Sequence, residues 1–392
     1  MISQRLRQLR LAHGLSLEDL AARMGGIITK QALSKYENGK AQPSMPVLTK
    51  LAAALGVKSA YLWSEPPFSV QVAAYRRSAA LAKKEEERVE NLLKVALEDR
   101  VRLQELTQQG PPAELPIKAW PLAKVEDAEQ AANELRSRWN LGVDPISNVT
   151  SVLEAHLIHV VEIESLDGFD GLSASAHDEE GRTIAVAVAS RAGVAGDRQR
   201  FNLAHELGHL VLRAQPELQD GERAAHRFAS AFLAPAETVR ALVGVRRAVV
   251  RAQELRLMKH YFGMSMQAML YRLKDLGVIT EGYYTRWFKE INLRGWRKVE
   301  PDLLPPEQPQ WLRLAVLRTL AEGQITRDEA SRLLGEPVDA EEPISLVERR
   351  ALMKLPLEER RRVIAEQAEQ SAEAYQQDEE LRELEVDDLI EE

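Results

Sequence analysis

The sequence predicts a multidomain, mainly α-helical protein in which one central domain combines helices with a small β-sheet. The chain has 392 residues, and domains usually contain about 100–200 residues, so we expect about two to four domains. Apolar residues recur at helical spacing over most of the chain, and capping residues separate the segments. Residues 156–164 and 182–190, by contrast, are rich in β-branched residues and indicate strands.

The composition limits the compartment and the chemistry. The chain contains no cysteine, which excludes disulfides and thiolate zinc sites. It has no apolar run of membrane-span length and no apolar signal core at its start, so we expect a cytoplasmic protein without a membrane partner. The net charge is −8, but residues 1–65 carry nine Lys/Arg against four Asp/Glu. This asymmetry indicates one basic module on an acidic protein.

Residues 1–65 have the pattern of a helix-turn-helix DNA-binding domain. Ser16 and Asp19 form a predicted capping box, Thr29 caps the following helix, and Asn38-Gly39 ends it. Two helices joined by a short turn, the second of them basic, are typical of domains that lay the second helix in the major groove. The alternative is a small helical interaction domain with a solvated basic face.

The segments LEDLAARM and TKQALSKYENGKAQPS resemble the Xre-type, phage-repressor-like family. The resemblance implies double-stranded operator DNA as a partner. Three residues would face base edges: Lys30, Gln31 and Lys35. Four residues would lie nearer to phosphates: Thr29, Ser34, Asn38 and Lys40.

Residues 66–116 begin with Pro66-Pro67 and are predicted to form a helical linker. Apolar residues recur there at helical spacing between charges: Val89, Leu92, Leu93, Ala96, Leu97, Val101 and Leu103. Such a helix can connect two domains or pair with a second copy of the chain. A homodimer would suit the symmetry of operator half-sites, so we expect one.

Residues 117–300 are predicted to form a catalytic domain around the segment FNLAHELGHLVL. His205 and His209 are four residues apart, so on a helix they share one face. With Glu206 they form the H-E-x-x-H pattern, in which two imidazoles hold Zn²⁺ and the glutamate activates water. The alternative is a buried helix that carries two histidines by chance.

A catalytic zinc site needs a third protein ligand. No third histidine follows at the metzincin spacing, whereas Glu222 begins an amphipathic helix that a turn at Gln215-Pro216 can bring back to the histidines. Glu217 and Asp220 are rivals, but both are better explained as solvated loop acids. Two histidines and a carboxylate do not select strongly between metals, so Mn²⁺ and Fe²⁺ stay open beside Zn²⁺.

The two predicted strands precede this helix pair, and together they indicate an α+β, zincin-like core. The strand at residues 182–190 could pair with the backbone of a substrate, as strands beside the cleft of zinc proteases do. His156 and His159 belong to the other predicted strand. We expect both to be structural or exposed, since neither follows the spacing of the motif.

Four segments together resemble the ImmA/IrrE metallopeptidases: QRFNLAHELGHLVL, GERAAHRFASAFLAP, DGFDGLSA and FGMSMQAMLYRLKDLGVI. The resemblance covers residues 117–290 and implies a bacterial, gluzincin-like enzyme that cuts DNA-bound repressors. Matching positions would make His205, His209 and Glu222 the metal ligands and Glu206 the general base. The chain departs from the family at His226, where Asn is usual, and the sequence assigns no role to this histidine.

The C-terminal part is predicted to contain two further segments. After the proline-rich stretch 301–310, residues up to 340 form a small helical module with Thr326 and Glu329 as a capping box. Residues 341–392 form an acidic amphipathic tail that weakly resembles the arm with which some antitoxins fold on a toxin. A solvated tail is an equal alternative.

The expected function is that of a DNA-binding regulator fused to a zinc endopeptidase that cleaves a repressor or an antitoxin-type protein. Such an enzyme needs a group that stabilises the oxyanion, and Tyr271, His226 and His260 are candidates. Two other functions stay open: a regulator whose metal site is a sensor or structural element, and an antitoxin that binds a toxin through the tail. Glu206, beside a site with only three ligands, argues against a purely structural metal.

Overall fold

The computed structural model describes residues 2–63, 68–75, 82–108, 115, 117–164, 169, 171–214, 220–297 and 299–338, with a few further residues between 353 and 362. Within these ranges, no helix combines the length and the apolar character that crossing a membrane requires. Four predicted features lie outside the described residues: the linker start at Pro66-Pro67, the turn Gln215-Pro216, the rival ligand Glu217 and nearly all of the tail 341–392.

Five helices form the N-terminal domain: α1 (Ile2–Ala12), α2 (Leu17–Arg23), α3 (Lys30–Glu37), α4 (Met45–Ala54) and α5 (Ser59–Trp63). Their apolar faces share one core of buried Leu, Ile and Met side chains. The predicted caps are confirmed. The Ser16 hydroxyl accepts a hydrogen bond from Asp19 N in a capping box, and the Thr29 hydroxyl accepts one from Ala32 N.

The structure confirms the helix predicted within residues 66–116 and adds a strand before it that was not predicted. Part of this region is a strand, β1 (Phe68–Tyr75), and α6 (Lys83–Leu106) follows it. The apolar stripe of α6 packs on a sheet of the same chain, where Val89, Leu93 and Leu97 are buried. The stripe that could have paired with a second copy is therefore already removed from water within one chain.

The central domain begins with β2 (Trp120–Leu122), α7 (Asp127–Arg138) and α8 (Val149–Ala155). Its sheet contains β1 and three further strands: β3 (Ile158–Ile163), β4 (Gly171–Asp178) and β5 (Thr183–Arg191). The strand order is β1-β4-β5-β3, in which β4 is antiparallel to both of its neighbours and β3 is parallel to β5.

The position of β5 corrects one expectation. This strand corresponds to the predicted segment 182–190, and it is hydrogen-bonded along one edge to β4 and along the other to β3. Adding a substrate strand requires an open edge with unpaired backbone groups. The expectation that this strand pairs with a substrate backbone is therefore wrong.

The helices that carry the H-E-x-x-H residues and Glu222 follow the sheet. They are α9 (Gly196–Val211) and α10 (Gly221–Leu233), with the short strand β6 (Leu212–Ala214) between them in parallel with β2. Four helices complete the domain: α11 (Ala236–Val243), α12 (Ala252–Phe262), α13 (Met266–Asp275) and α14 (Glu281–Leu293). Leu203, Leu207 and Phe228 lie in its core and fix the apolar faces of α9 and α10.

The proline-rich stretch 301–310 packs on the central domain through Glu307. Its carboxylate accepts hydrogen bonds from the first two backbone N–H groups of α8, at 3.0 and 2.8 Å. It also pairs with Arg200 of α9 at 2.5 Å. A helix leaves its first N–H groups without partners inside the helix, and a carboxylate is well suited to bind them.

Two more helices are described after this stretch, α15 (Trp311–Ala321) and α16 (Arg327–Leu334). The Thr326 hydroxyl accepts a hydrogen bond from Glu329 N, which confirms one of the two bonds of the predicted capping box. A second compact unit begins at Val316, and its described residues include α16.

Candidate metal centre

Close packing of α9 on α10 brings the predicted ligand residues together. The contact depends on Gly208, where an added Cβ atom would lie 3.2 Å from Ala225 Cα and from Phe228 Cδ1. Glu222 lies in the first turn of α10. Gly208 occupies a position that the H-E-x-x-H pattern leaves open, yet it sets how closely Glu222 can approach the two histidines.

Three side chains meet between these helices. The Nε2 atoms of His205 and His209 lie 3.0 Å apart. Glu222 Oε2 lies 3.4 Å from His205 Nε2, and Glu222 Oε1 lies 3.2 Å from His209 Nε2. Two unprotonated imidazole nitrogens would repel each other at this distance, so a proton or a cation between them stabilises the arrangement.

The donor atoms fit a tetrahedral divalent cation. Zinc binds nitrogen and oxygen at about 2.0–2.1 Å, which places tetrahedral ligand atoms about 3.3 Å apart. The three observed separations run from 3.0 to 3.4 Å. The His205 side chain is 1% exposed and that of Glu222 is 56% exposed, so the group is closed on the side of α9 and accessible beside Glu222.

Glu206 is buried next to these residues and lies against the first residue of β4. Its Oε1 atom lies 2.5 Å from the point where a Cβ atom on Gly171 would stand. Gly171 is the first residue of β4, and because it has no side chain it leaves room for the carboxylate. The end of the strand therefore helps to fix the position of a group that can accept a proton.

The structure places His226 at this site, for which the sequence offered it only as one of three candidates for oxyanion stabilisation. His226 follows Glu222 by four positions on α10. One donor atom from each of His205, Glu222 and His226 lies within 4.8 Å of the other two. The His226 ring centroid is 4.5 Å from that of His205 and 5.6 Å from that of Phe201. The four-residue spacing from Glu222 was the signal in the sequence, since it puts both side chains on one face.

Lys118 anchors the end of α9 that carries His209. Its Nζ atom donates to the carbonyl oxygens of His209 at 2.6 Å and of Leu212 at 3.2 Å. Burial lowers the pKa of the Lys118 ammonium. A cation at the C-terminus of a helix also interacts favourably with the carbonyl groups that have no partner inside the helix.

The two histidines of the predicted first strand have structural contacts elsewhere, as expected. The His159 ring is hydrogen-bonded through Nε2 to Gln104 Oε1 at 2.9 Å. Burial, with a contribution from the charge of Arg100, holds the pKa of His159 well below its ordinary value. The His156 ring stacks on Trp139 with 4.1 Å between centroids.

The remaining candidate residues, two for oxyanion stabilisation and one for metal binding, have contacts away from the site formed by His205, His209 and Glu222. His260 Nε2 lies 3.8 Å from Asp302 Oδ2. The Tyr271 ring lies 4.4 Å from Lys274 Nζ. The rival ligand Asp220 forms a salt bridge of 3.0 Å with Arg223. Of the three candidates for oxyanion stabilisation, His226 is the one whose contacts lie within the group.

The residues predicted to contact DNA line the exposed side of α3 and its two ends. Ser34 is partly buried, and the other six are exposed: Thr29, Lys30, Gln31, Lys35, Asn38 and Lys40. On the inner side, the Arg10 guanidinium of α1 holds the Glu37 carboxylate through two bonds of 2.6 and 2.7 Å. This bidentate pair fixes α3 against the domain while its polar side faces outwards.

Comparison with known proteins finds two matched regions in the chain. Residues 6–62 match the helix-turn-helix family, and residues 154–274 match a peptidase family described as the IrrE N-terminal-like domain. The chain is 42% identical over 62 residues to an SPbeta prophage-derived uncharacterized HTH-type transcriptional regulator of Bacillus subtilis. That match covers 16% of this chain and 56% of the relative, so the chain spans little more than half of the relative's length.

The two family matches agree with the elements that carry the candidate sites. The first contains α2 and α3, and the second contains α9 and α10. The chain therefore carries an N-terminal Xre-type helix-turn-helix domain followed by a domain of the IrrE/ImmA-like peptidase family.

Proposed function

We propose that the protein is a DNA-binding regulator whose central domain is a zinc-dependent endopeptidase of zincin-like, gluzincin-like architecture. His205, His209 and Glu222 would hold the ion, and Glu206 would act as the general base. The observation that carries the proposal is the convergence of the three donor side chains at separations of 3.0–3.4 Å, which suit a tetrahedral zinc ion. The match of this domain to a peptidase family supports it.

The chemistry divides between the ion and the residues of the chain. When bound, zinc would polarise the scissile carbonyl and lower the pKa of the attacking water towards neutrality. Glu206 takes one proton from the water as the water oxygen bonds to the carbonyl carbon. The Glu206 carboxyl then gives this proton to the amine nitrogen as the C–N bond breaks. No proton is gained or lost by the enzyme over the cycle.

The surroundings of the proposed site support cleavage within a polypeptide. Glu222 is 56% exposed, so the site is accessible from the α10 side, whereas His205 is 1% exposed and is held in the core. A buried ligand on a packed helix keeps its orientation, and an exposed neighbour gives a long chain access. This arrangement suits an endopeptidase acting on an exposed loop or linker of a protein substrate.

The N-terminal domain would bring the peptidase to an operator. We propose that Lys30, Gln31 and Lys35 contact base edges, and that four further residues contact phosphates: Thr29, Ser34, Asn38 and Lys40. Their position on the open side of α3 supports this assignment. The substrate would then be a repressor or an antitoxin-type protein, and its cleavage would switch transcription.

The zinc content and zinc affinity of four purified proteins test which residues bind the metal. Wild type and Glu206→Gln are expected to bind one zinc ion per chain with equal affinity. His205→Ala and Glu222→Ala each lack one donor and are expected to bind at least about tenfold more weakly. A Glu222→Ala protein with wild-type affinity would remove Glu222 from the ligand set.

A further inference from the structure

We propose that His226 supplies a third imidazole to the metal centre, so that the ion is held by three histidines and one glutamate. This proposal rests on the metal site proposed above and extends it by one ligand. It also disfavours Mn²⁺, one of the metals that the sequence leaves open beside Zn²⁺.

The helices α9 and α10 present the proposed ligands in two pairs. His205 and His209 are four residues apart on α9, and Glu222 and His226 are four residues apart on α10. Side chains at this spacing lie one above the other on the same face of a helix. Because Gly208 lets the two helices pack closely, the two pairs face each other across one narrow gap.

His226 lies beside His205 and Glu222. Its donor nitrogen lies within 4.8 Å of donor atoms of His205 and Glu222. The ring lies at 58° to the His205 ring, with 4.5 Å between centroids, so the two rings are tilted and do not stack flat. Phe201 lies at 5.6 Å from the His226 ring and gives it an apolar neighbour on α9. The 4.8 Å limit is wider than the separation of about 3.3 Å between tetrahedral zinc ligands, so the proposal requires the His226 side chain to turn towards the ion when zinc binds.

The coordination chemistry of zinc allows a fourth protein ligand. Catalytic zinc usually has three protein ligands and one position for water, and it can expand to five ligands. With His226 as the fourth protein ligand, a water or a substrate oxygen would take the fifth position. A fourth protein ligand is therefore compatible with hydrolysis. Imidazole suits zinc, copper, iron and nickel, whereas carboxylate and water suit manganese and magnesium. A third imidazole should therefore favour Zn²⁺ over Mn²⁺.

The test uses the full-length protein and does not depend on cleavage. Wild type, His226→Asn and His226→Gln are loaded with Zn²⁺, and His260→Asn is the matched control on a histidine that contacts Asp302. Zinc affinity is measured by competition with a chelator, and the number of imidazole ligands is measured by X-ray absorption at the zinc edge. Thermal melting confirms that each variant is folded.

We expect three imidazoles in wild type and in His260→Asn, and two in both variants at position 226. Zinc affinity should fall by about tenfold or more in those two variants, while Mn²⁺ affinity changes little. If wild type has two imidazoles, or if affinity falls without a change in their number, His226 is not a ligand and the proposal is wrong. If wild type binds no zinc, the metal site itself is wrong, and this outcome is distinct from the failure of His226 alone.

Discussion

Gly171 at the start of β4 and Glu206 on α9 lie so close that a Cβ atom on Gly171 would stand 2.5 Å from Glu206 Oε1. In a Gly171→Ala protein the carboxylate has to move, because it is the end of a flexible side chain and the strand backbone is fixed by its neighbours. Such a change displaces the proposed base without altering a proposed ligand. We expect cleavage to slow by about 100-fold, as displacements of about 1 Å do elsewhere, while zinc affinity stays unchanged.

Gly282→Ala is the matched control for this change. Gly282 lies in α14, and an added Cβ atom there would meet no other atom within 4 Å. Cleavage of the same substrate and zinc content are measured for both variants. Wild-type cleavage by Gly171→Ala would show that the position of the Glu206 carboxylate is not important for the reaction.

Gly208→Ala tests whether close packing of α9 on α10 sets the metal site. The added methyl group would stand 3.2 Å from Ala225 Cα and from Phe228 Cδ1, which is tighter than ordinary contact. Relief requires a small separation of the two helices, at a cost of about 1–3 kcal/mol in the free energy of unfolding. Separation also moves Glu222 away from the histidines, so we expect weaker zinc binding. Urea unfolding and chelator competition measure the two effects, and unchanged zinc affinity would contradict the second.

The features that local patterns determine were predicted from the sequence. Ser16 and Thr29 cap their helices through atoms only a few residues away, and such short-range bonds leave a clear pattern. The α9 helix likewise begins and ends around the predicted motif. The approach of Glu222 to His205 followed from the spacing on each helix and from the need for a third ligand.

The features that depend on distant partners were not predicted. The strand β1 pairs with β4, about a hundred positions further along the chain, and its short sequence alone does not indicate this partner. Glu307 lies in a proline-rich stretch, yet its carboxylate binds the N-terminus of α8. A sequence reveals a free helix N-terminus, but it does not reveal which remote carboxylate will reach it. His226 was visible in the spacing, but its position beside His205 depends on how α10 faces α9.

Substitutions on α3 should separate base contacts from phosphate contacts. We expect Gln31→Ala to cost about 1–3 kcal/mol of binding to the operator and to relax the choice of base at one position. Lys40→Ala should weaken binding to all sequences equally and reduce the salt dependence by about one phosphate contact. Fluorescence anisotropy with operator and random duplexes at several salt concentrations measures both.

Lys289→Ala is the control for these DNA measurements, since Lys289 is an exposed lysine on α14 outside the helix-turn-helix domain. It should leave binding unchanged. Equal losses from Gln31→Ala on operator and random duplexes would show that Gln31 does not read bases.

The stability of the protein should decrease as the solution becomes acidic, because His159 is buried in its neutral form. Burial and Arg100 hold the pKa of His159 well below its ordinary value in the folded protein, whereas in the unfolded chain it is about 6.5. Below about pH 6.5 unfolding therefore takes up a proton, and the free energy of unfolding falls by up to about 1.4 kcal/mol per pH unit. His159→Phe keeps a ring beside Trp311 and removes this proton. Urea unfolding at about pH 7 and about pH 5 should show a shallower decrease in the variant, and equal decreases would contradict the assignment.

We propose that Glu206, together with the metal site formed by His205, His209 and Glu222, cleaves a protein substrate. The most direct measurement adds zinc-loaded wild type and zinc-loaded Glu206→Gln to a lysate of the host cell and identifies new protein N-termini by mass spectrometry. We predict a short set of cleavage sites with wild type, including one in a helix-turn-helix repressor or an antitoxin-type protein, and none of these with Glu206→Gln. The same N-termini from both proteins, with zinc bound to each, would contradict the account.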